Sequence, residues 1–492
     1  MARSILLACL AGCLPIALAG CVVGPDFHQP AAPDVQGYAS APLPAETVST
    51  PTPGGGAIRL VQASDPDLRW WTVYGSPAID ALVDQALKAN PDLQSAQAAL
   101  KVALENYYAQ RSGFWPSISA TYTASREQAP ATPAPPLTSN IDLFTLHTAQ
   151  LNISYAPDVF GGVRRGVESA KAQAEAARFQ AEAAYVTLTA NVVQAAILEA
   201  SLNDQLAATR ALLADGHKQL DLMRRQQALG EISGADVAAQ ETAVAQLEQT
   251  LPPLEKQLAQ QQDLLADLTG RYPSQMPDQA LELSGLKLPA EAPVSLPSAL
   301  VAHRPDILAA AANLHSASAD VGVAIAARLP NLTLTANAGG AATDVSQLFT
   351  HGNGFWTLTG EVAQPIFQGG ALLHKQRGAE AALDQAEAQY RSTVLSAFQN
   401  VADSLQALQA DSRTLAAAAA AEQSALKSQA LAQRQLEAGQ VSALTLLNAQ
   451  QAYQQTRLSQ IQASAARYAD SVALYQALGG GWWRKADAGG VH

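Results

Sequence analysis

The chain has 492 residues, of which 48% are hydrophobic, 15% charged and 5% aromatic, and its formal net charge is −12. The charged fraction is well below the about 25% of ordinary soluble domains, and the low aromatic content argues against a large aromatic core. This composition suits long helices with seams filled by Ala, Leu and Val. The acidic balance excludes an electrostatic nucleic-acid binder. The cysteines stand at 9, 13 and 21, so disulfide scaffolds, thiolate metal sites and cysteine nucleophiles are excluded beyond residue 21.

Residues 1–20 read as a secretory signal, with Arg3 followed by an apolar stretch from Ile5 to Ala19 that is too short to span a bilayer. The stretch ends in Leu18-Ala19-Gly20-Cys21, which resembles the lipobox of bacterial lipoproteins. That resemblance implies cleavage before Cys21 and acylation there, by a diacylglyceryl group and an amide-linked chain, which together anchor stably. A second Leu-Ala-Gly-Cys, ending at Cys13, has too short an apolar run before it. Val22, not Asp, follows Cys21, and by the general lipoprotein rule this implies sorting to the outer membrane. Residues 21–68 are rich in Pro, Ala and Gly without periodicity, an acylated, extended N-terminal strap.

Beyond residue 68 the sequence repeats itself. Asn90-Pro91-Asp92-Leu93 matches Arg304-Pro305-Asp306-Ile307, and Trp115-Pro116-Ser117-Ile118 matches Leu329-Pro330-Asn331-Leu332, both at an offset of 214. Pro157-x-x-x-Gly161-Gly162 matches Pro365-x-x-x-Gly369-Gly370 at 208, and Gly230-Glu231-Ile232-Ser233 matches Gly439-Gln440-Val441-Ser442 at 209. Four anchors in one order define a tandem duplication: 69–270 and 297–480, a connector at 271–296 in an equatorial region, and a tail at 481–492.

Within each repeat two periods alternate. Residues 117–124 place Ile118, Ala120, Tyr122 and Ala124 on one face and Ser117, Ser119, Thr121 and Thr123 on the other. Residues 148–156, 331–338 and 356–364 alternate likewise, which predicts strands over 115–125, 145–157, 329–339 and 355–365. One apolar face opposite a neutral polar face fits a soluble sandwich with one wet side, and it also fits a membrane barrel. The outer-membrane address favours the barrel, with 126–142 and 339–354 as external loops.

Each strand pair is followed by a proline-free helical pattern, 162–229 and 370–438, which would run about 100 Å if unbroken. Each turns at a glycine, Gly230 or Gly439, into a returning helix, 231–268 or 440–478, and Pro252-Pro253 is expected to break the first of these. A shorter helix precedes each first strand, 91–114 and 305–328, with Asn90 as N-cap and Pro91 at the first helical position. The short helices, set end to end, nearly match their long neighbour and leave room for a belt where they meet.

Four membrane strands cannot close a barrel, and open edges in lipid would strand backbone amides at several kcal/mol each. Two chains would give eight strands and a filled interior. Three give twelve and a lumen lined by Ser, Thr and Asn, the simplest wet solution; the physics alone also permits four.

Trp70-Trp71-x-x-Tyr74, the run Ile79-x-x-Leu82-Val83-x-x-Ala86-Leu87-x-x-Asn90-Pro91-Asp92-Leu93, and the segments from Tyr390 to Asp403 and from Leu478 to Trp482 resemble the outer-membrane efflux (TolC-like) family. With Cys21-Val22-Val23-Gly24-Pro25-Asp26, the chain is similar to the lipoprotein (NodT-like) branch serving resistance-nodulation-division pumps. The resemblance implies a mainly α fold with membrane β: a homotrimeric twelve-stranded β-barrel continued by a long periplasmic α-helical barrel. It implies an outer-membrane exit duct for drugs or other small toxic compounds, partnered by a periplasmic adaptor protein and an inner-membrane pump. Two other readings stay open. One is a duct for metal cations or secreted protein, and the other a structural coiled-coil lipoprotein tether.

No Walker-type loop, HExxH or GxSxG occurs, and the eight histidines show no ligand spacing, although His303 and His315 stand 12 apart. No catalytic residue, metal ligand or cofactor is expected, the covalent lipid at Cys21 aside. The functional candidates are the hairpin tips. Gly230 and Gly439 permit positive φ, Ser233 and Ser442 cap the helices that follow, and the resemblance makes both tips adaptor contacts. It also places a constriction just after the second tip, at Ala443 to Asn448, where relatives often carry a carboxylate at the position of Asn448. A ring of Asn448 lacks the repulsion and cation trapping of carboxylates, so a steric ring of Leu444 is the expected gate. Asp236 either lends that region acidity or is a carboxylate beside the Ser233 cap.

Overall fold

The computed structural model describes residues 22–35, 37–39, 44–128, 143–276 and 281–485. The signal, Cys21 and most of the first expected external loop lie outside these. In chain order the elements are β1 (Arg59–Gln62), α1 (Pro77–Ala89), α2 (Pro91–Arg111), β2 (Ser117–Gln128), β3 (Leu143–Tyr155), α3 (Gly162–Ala228) and α4 (Gly234–Leu268). There follow β4 (Glu291–Val294), α5 (Pro297–His303), α6 (Pro305–Ala326), β5 (Asn331–Ala342), β6 (Gly354–Ala363), α7 (Ala371–Glu437) and α8 (Ala443–Ala477). The long helices α3 and α7 have 67 residues each. α3 is long and apolar enough in one window to cross a membrane by composition, and half of that window is buried by the protein itself.

The chain divides into two units, the first built from residues up to Pro30, 100–176 and 310–390. Its centre is a four-stranded antiparallel sheet in the order β2-β3-β5-β6. Over the alternating runs, register keeps the apolar and polar sets on separate faces. Ile118 pairs with Ile153, Ala120 with Leu151, Ala336 with Leu358 and Ala338 with Trp356. On the other face Thr121 pairs with Gln150, Asn152 with Asn337 and Thr335 with Thr359. Polar side chains are stitched across that second face, as where Asn152 Nδ2 donates to Thr121 Oγ1 at 3.0 Å. Among the described residues nothing covers the apolar face: Trp356 is 78% and Ile118 68% exposed. A soluble sandwich would bury this face; a membrane sheet turns it to lipid. β2, β3 and β5 extend beyond the alternating runs: β2 and β3 pair on to Gln128 with Leu143, and in β5 Gly339-Gly340 continue the ladder against Phe355-Gly354.

In the same unit α3 runs between two shorter helices. Gly166 approaches Gln110 of α2, while Gly162 approaches Ala326 of α6 and the Ser169 and Ser316 hydroxyls share a 2.9 Å hydrogen bond. Arg328, just past α6, hydrogen-bonds Gln376 of α7.

The second unit comprises residues 31–99, 177–309 and 391 onward. Its core gathers Trp70, Trp71, Tyr74, Ile79 and Val83 against the Tyr185–Ala200 stretch of α3 and against Tyr468, Val472 and Tyr475 of α8. Trp70 stacks on Tyr475 at 5.2 Å between ring centroids. The strap is not featureless here. β1 pairs in parallel with β4 from the connector, a four-residue ladder between segments too far apart in sequence to signal each other. The expected break at Pro252-Pro253 does not occur, and α4 runs through both. Pro252 and Pro253 are exposed, as are Glu248 and Gln249, so the carbonyls left without an N–H partner face water.

Candidate functional site

The second unit carries both hairpin tips, and they are built alike. Gly230 and Gly439 have φ of +77° and +68°. The N–H of Gly230 bonds to the Gln227 carbonyl and that of Glu231 to Gln226, while Gly439 and Gln440 bond to Leu436 and Gln435. These paired bonds end each long helix in a Schellman motif. Ser233 then caps α4 and Ser442 caps α8. A Cβ at either glycine would meet nothing within 4 Å, so the dihedral, not crowding, requires glycine there.

Asp236 completes a capping box, accepting from Ser233 N at 3.2 Å and from Ser233 Oγ at 2.7 Å. That engagement explains this carboxylate locally, as part of the turn. Leu444 and Asn448 lie one turn apart on α8, both exposed, while Leu446 and Leu447 between them are buried. The tips rest on two small apolar clusters, Leu220, Met223, Val237 and Val244 in the first and Ala432, Leu446 and Ala449 in the second. Ala443, at the start of α8, packs against the first cluster, so the two tips adjoin.

The strap is held by two clasps that sequence reading missed. In the first unit Val22, adjacent to Cys21, sits against Gly161, and the Val23 N–H donates to Phe160 O at 3.2 Å. Arg165, 4% exposed, donates to Val23 O at 3.1 Å, Asp26 Oδ1 at 2.6 Å and Glu168 Oε2 at 2.8 Å. Glu168 bonds His315 Nε2 at 2.8 Å, and the His315 ring stacks on Phe27 at 4.3 Å. Burial alone would raise the Glu168 carboxyl, but its bonds to His315 and Arg165 hold it below the usual carboxylate range.

In the second unit the clasp is Arg467, which is fully buried. It donates to the Gly54 carbonyl at 2.9 Å, the Gly56 carbonyl at 2.7 Å and Thr47 Oγ1 at 2.7 Å. Burial depresses its pKa, and no carboxylate lies within ion-pair distance among the described residues. Nearby on α8, burial first, then the bond and charge of Asp411, push the Asp470 carboxyl up to about 7. Among the described residues no group of three His, Cys, Asp or Glu could hold a metal ion.

The alternating strands and long helical hairpins are elements that the sequence predicted, and this architecture has relatives. The outer membrane efflux protein family model matches residues 82–271 and 296–480. The chain belongs to this family. It is 33% identical over 421 residues to the pyoverdine export outer membrane protein OpmQ of Pseudomonas putida, covering 85% of this chain and 89% of that one. It is 31% identical over 476 residues to the toluene efflux pump outer membrane protein TtgC of Pseudomonas putida, covering 95% and 94%. The solved structure of the outer-membrane channel OprN superposes with a TM-score of 0.83 at 25% identity, covering 94% of this chain and all of that one.

This outer membrane efflux protein therefore has the family's fold class. It is mainly α with membrane β, tandemly duplicated, with four strands per chain towards a trimeric twelve-stranded barrel continued by a periplasmic α-helical barrel. Its place is the outer membrane. The histidine pair noted in the sequence has separate duties: His315 belongs to the first clasp, and His303 stacks on Trp483 at 4.3 Å. No local signal marks Arg165 or Arg467 as clasps.

Proposed function

We propose that this efflux protein is the passive exit duct of a tripartite system, a homotrimer acylated at Cys21. It receives small toxic organic compounds from a periplasmic adaptor and an inner-membrane resistance-nodulation-division pump. The observation that carries the reading is the uncovered apolar sheet face with free edges at β2 and β6, since such edges in lipid demand partners. The names of OpmQ and TtgC, one for pyoverdine export and one for toluene efflux, support small organic cargo. Val22 against Gly161, in the short link between β3 and α3, supports a lipid at Cys21 near the end of the sheet from which the long helix departs. Polar side chains on the second sheet face support a wet lumen.

In this reading the tips around Gly230, Ser233, Gly439 and Ser442 receive the adaptor, and Leu444 narrows the tunnel with Asn448 one turn beyond. Native mass spectrometry of protein extracted from membranes in mild detergent tests the reading. A mass of three lipidated chains supports the shared barrel. A monomer that stays soluble without detergent removes the duct and leaves a tether.

A further inference from the structure

Where strands hand over to helices, the polar face of the sheet changes character. In the first unit three links meet there: β3 to α3, α6 to β5, and β6 to α7. Together they line a cavity of about 620 Å³, within the about 300–1,000 Å³ of small-molecule sites. Register tells which face it opens on. Ala156 and the cross-strand pair Asn331 and Ala363 line it, and they continue the polar sets that hold Asn152, Thr335 and Thr359. Their apolar-face neighbours Tyr155, Leu332 and Val362 stay outside it. The cavity therefore opens on the face that lines the lumen in the duct reading.

Its walls are unlike the rest of that face. Thr121, Gln150, Asn152 and Asn337 make the sheet polar there, whereas Val159, Phe160, Val163, Val323, Leu329 and Pro365 wall the cavity. Among the described lining residues the one charged side chain, Asp158, is already engaged. It accepts from the Val163 N–H at 2.9 Å, the Arg164 N–H at 2.8 Å and Arg164 Nε at 3.1 Å. Gln364 Nε2 is engaged likewise, donating to the Arg328 and Pro365 carbonyls at 3.0 and 2.9 Å. Pro157, Pro330 and Pro365 stand one in each link, where fixed φ keeps the walls in place.

An apolar recess in a wall of amides and hydroxyls gains from having its surface covered. With its carboxylate paired internally, it offers an ion no counter-charge. We propose that it is a binding site for small, neutral, apolar organic molecules, a holding point for cargo where the helices meet the sheet. This rests on the duct reading and names the class of cargo that the wall retains.

The test is photolabelling of the full-length protein in lipid nanodiscs with trifluoromethyl phenyl diazirine, a small neutral aromatic probe, read by peptide mass spectrometry. Labels on Val159, Phe160 and Val323 should fall at least fivefold with excess p-xylene, while those on Ile118 and Trp356 of the apolar face fall less than twofold. Benzoate, a charged ring of similar size, should displace none of them. Ala363→Phe puts a ring into the cavity from an exposed strand position and should abolish the displaceable label in a protein that is still a trimer. Should that variant not assemble, Ala327→Leu fills the same space from an exposed position just past α6. A trimer whose cavity residues take no label, or lose it to p-xylene no more than Ile118 and Trp356 do, overturns the site and leaves the duct standing. So does a displaceable label that persists in a filled variant. Displacement by benzoate as strong as by p-xylene overturns the assignment to neutral molecules. A monomer that stays soluble without detergent overturns both the site and the duct.

Discussion

Asn90 Nδ2 donates to the Leu268 carbonyl at 3.1 Å while Asn90 Oδ1 accepts from the Leu93 N–H at 2.9 Å. One side chain thus caps the start of α2 and takes up a free carbonyl at the end of α4, which joins two short helices end to end. In the second repeat Arg304 does the equivalent work, donating through Nη1 to the Ala477 carbonyl at 2.8 Å at the end of α8 and through Nη2 to Asp306 Oδ2 at 2.6 Å. Different residues at matched positions solve the same problem, the orphan carbonyls of a buried helix end. Asn90→Ala should cost about 2–3 kcal/mol, the sum of a lost cap and an unsatisfied carbonyl. Asn90→Asp keeps the cap acceptor, loses the donor and should cost about half as much. Denaturant unfolding in detergent reads both; an Asp variant as stable as the parent would show that the joint to Leu268 contributes nothing, and equal losses in the two variants that the cap contributes nothing.

Arg467 holds the strap through neutral acceptors alone, so its removal leaves the buried Gly54 carbonyl without its donor and frees the Gly56 carbonyl. Arg467→Met keeps the apolar stem and removes the fork, at a cost of about 2–4 kcal/mol. Arg467→Lys should recover only part, because one ammonium cannot span three acceptors set around a planar guanidinium. The local readout is proteolysis of residues 44–58, expected to quicken at least tenfold in the Met variant. An unchanged cleavage rate would mean that β1 and its neighbours hold the strap without the clasp.

Asp470 gives the fold a pH dependence of definite sign. Its carboxyl titrates near 7 in the folded chain, above the unfolded value of about 4, so between these values the folded state binds more protons. Stability from this group is then present at the acidic end and falls as pH rises to 7. Asp470→Asn removes the penalty, so the variant should unfold at higher temperature than the parent at pH 8 and within error of it at pH 4.5. Thermal scans at the two pH values decide, and a gain of equal size at both would assign the effect to packing instead. Asp411 and the guanidinium of Arg467 are the charged groups that act in this neighbourhood.

Periodicity and punctuation made much of this architecture legible. The β-sheet could be read because residues such as Ile118, Leu151, Leu334 and Leu358 alternate strictly with small polar partners, and register then keeps each set on its face. The tips could be read because Gly230 and Gly439 end proline-free helical runs and are followed by Ser233 and Ser442. What escaped was long-range and short. β1 and β4 are four residues each and have no period to detect, and the clasps at Arg165 and Arg467 bond to strap residues far away in sequence. Pro252-Pro253 misled for a different reason. Proline predicts a break from local chemistry, but an exposed pair whose upstream carbonyls reach water is tolerated in a helix held by Val244, Leu247 and Leu265 on its buried side.

The gate makes the last prediction. Leu444 and Asn448 are exposed one turn apart beyond the second tip, and Asp236 is committed to its capping box with Ser233. A closed tunnel in this efflux protein would therefore rest on leucine bulk, with amides and not carboxylates beside it. Leu444→Ser removes three isobutyl groups from the ring of a trimer and should raise entry of bulky antibiotics into cells about fourfold or more, at unchanged protein levels. Asn448→Asp should leave bulky neutral antibiotics unaffected but place three carboxylates in the ring, whose mutual repulsion raises their pKa and whose field attracts divalent cations. Single-channel conductance in planar bilayers should then become sensitive to millimolar magnesium in the Asp variant and not in the parent. Magnesium block of the parent would show an acidic constriction elsewhere, and an unaltered antibiotic sensitivity in Leu444→Ser would remove the steric gate from this turn of α8.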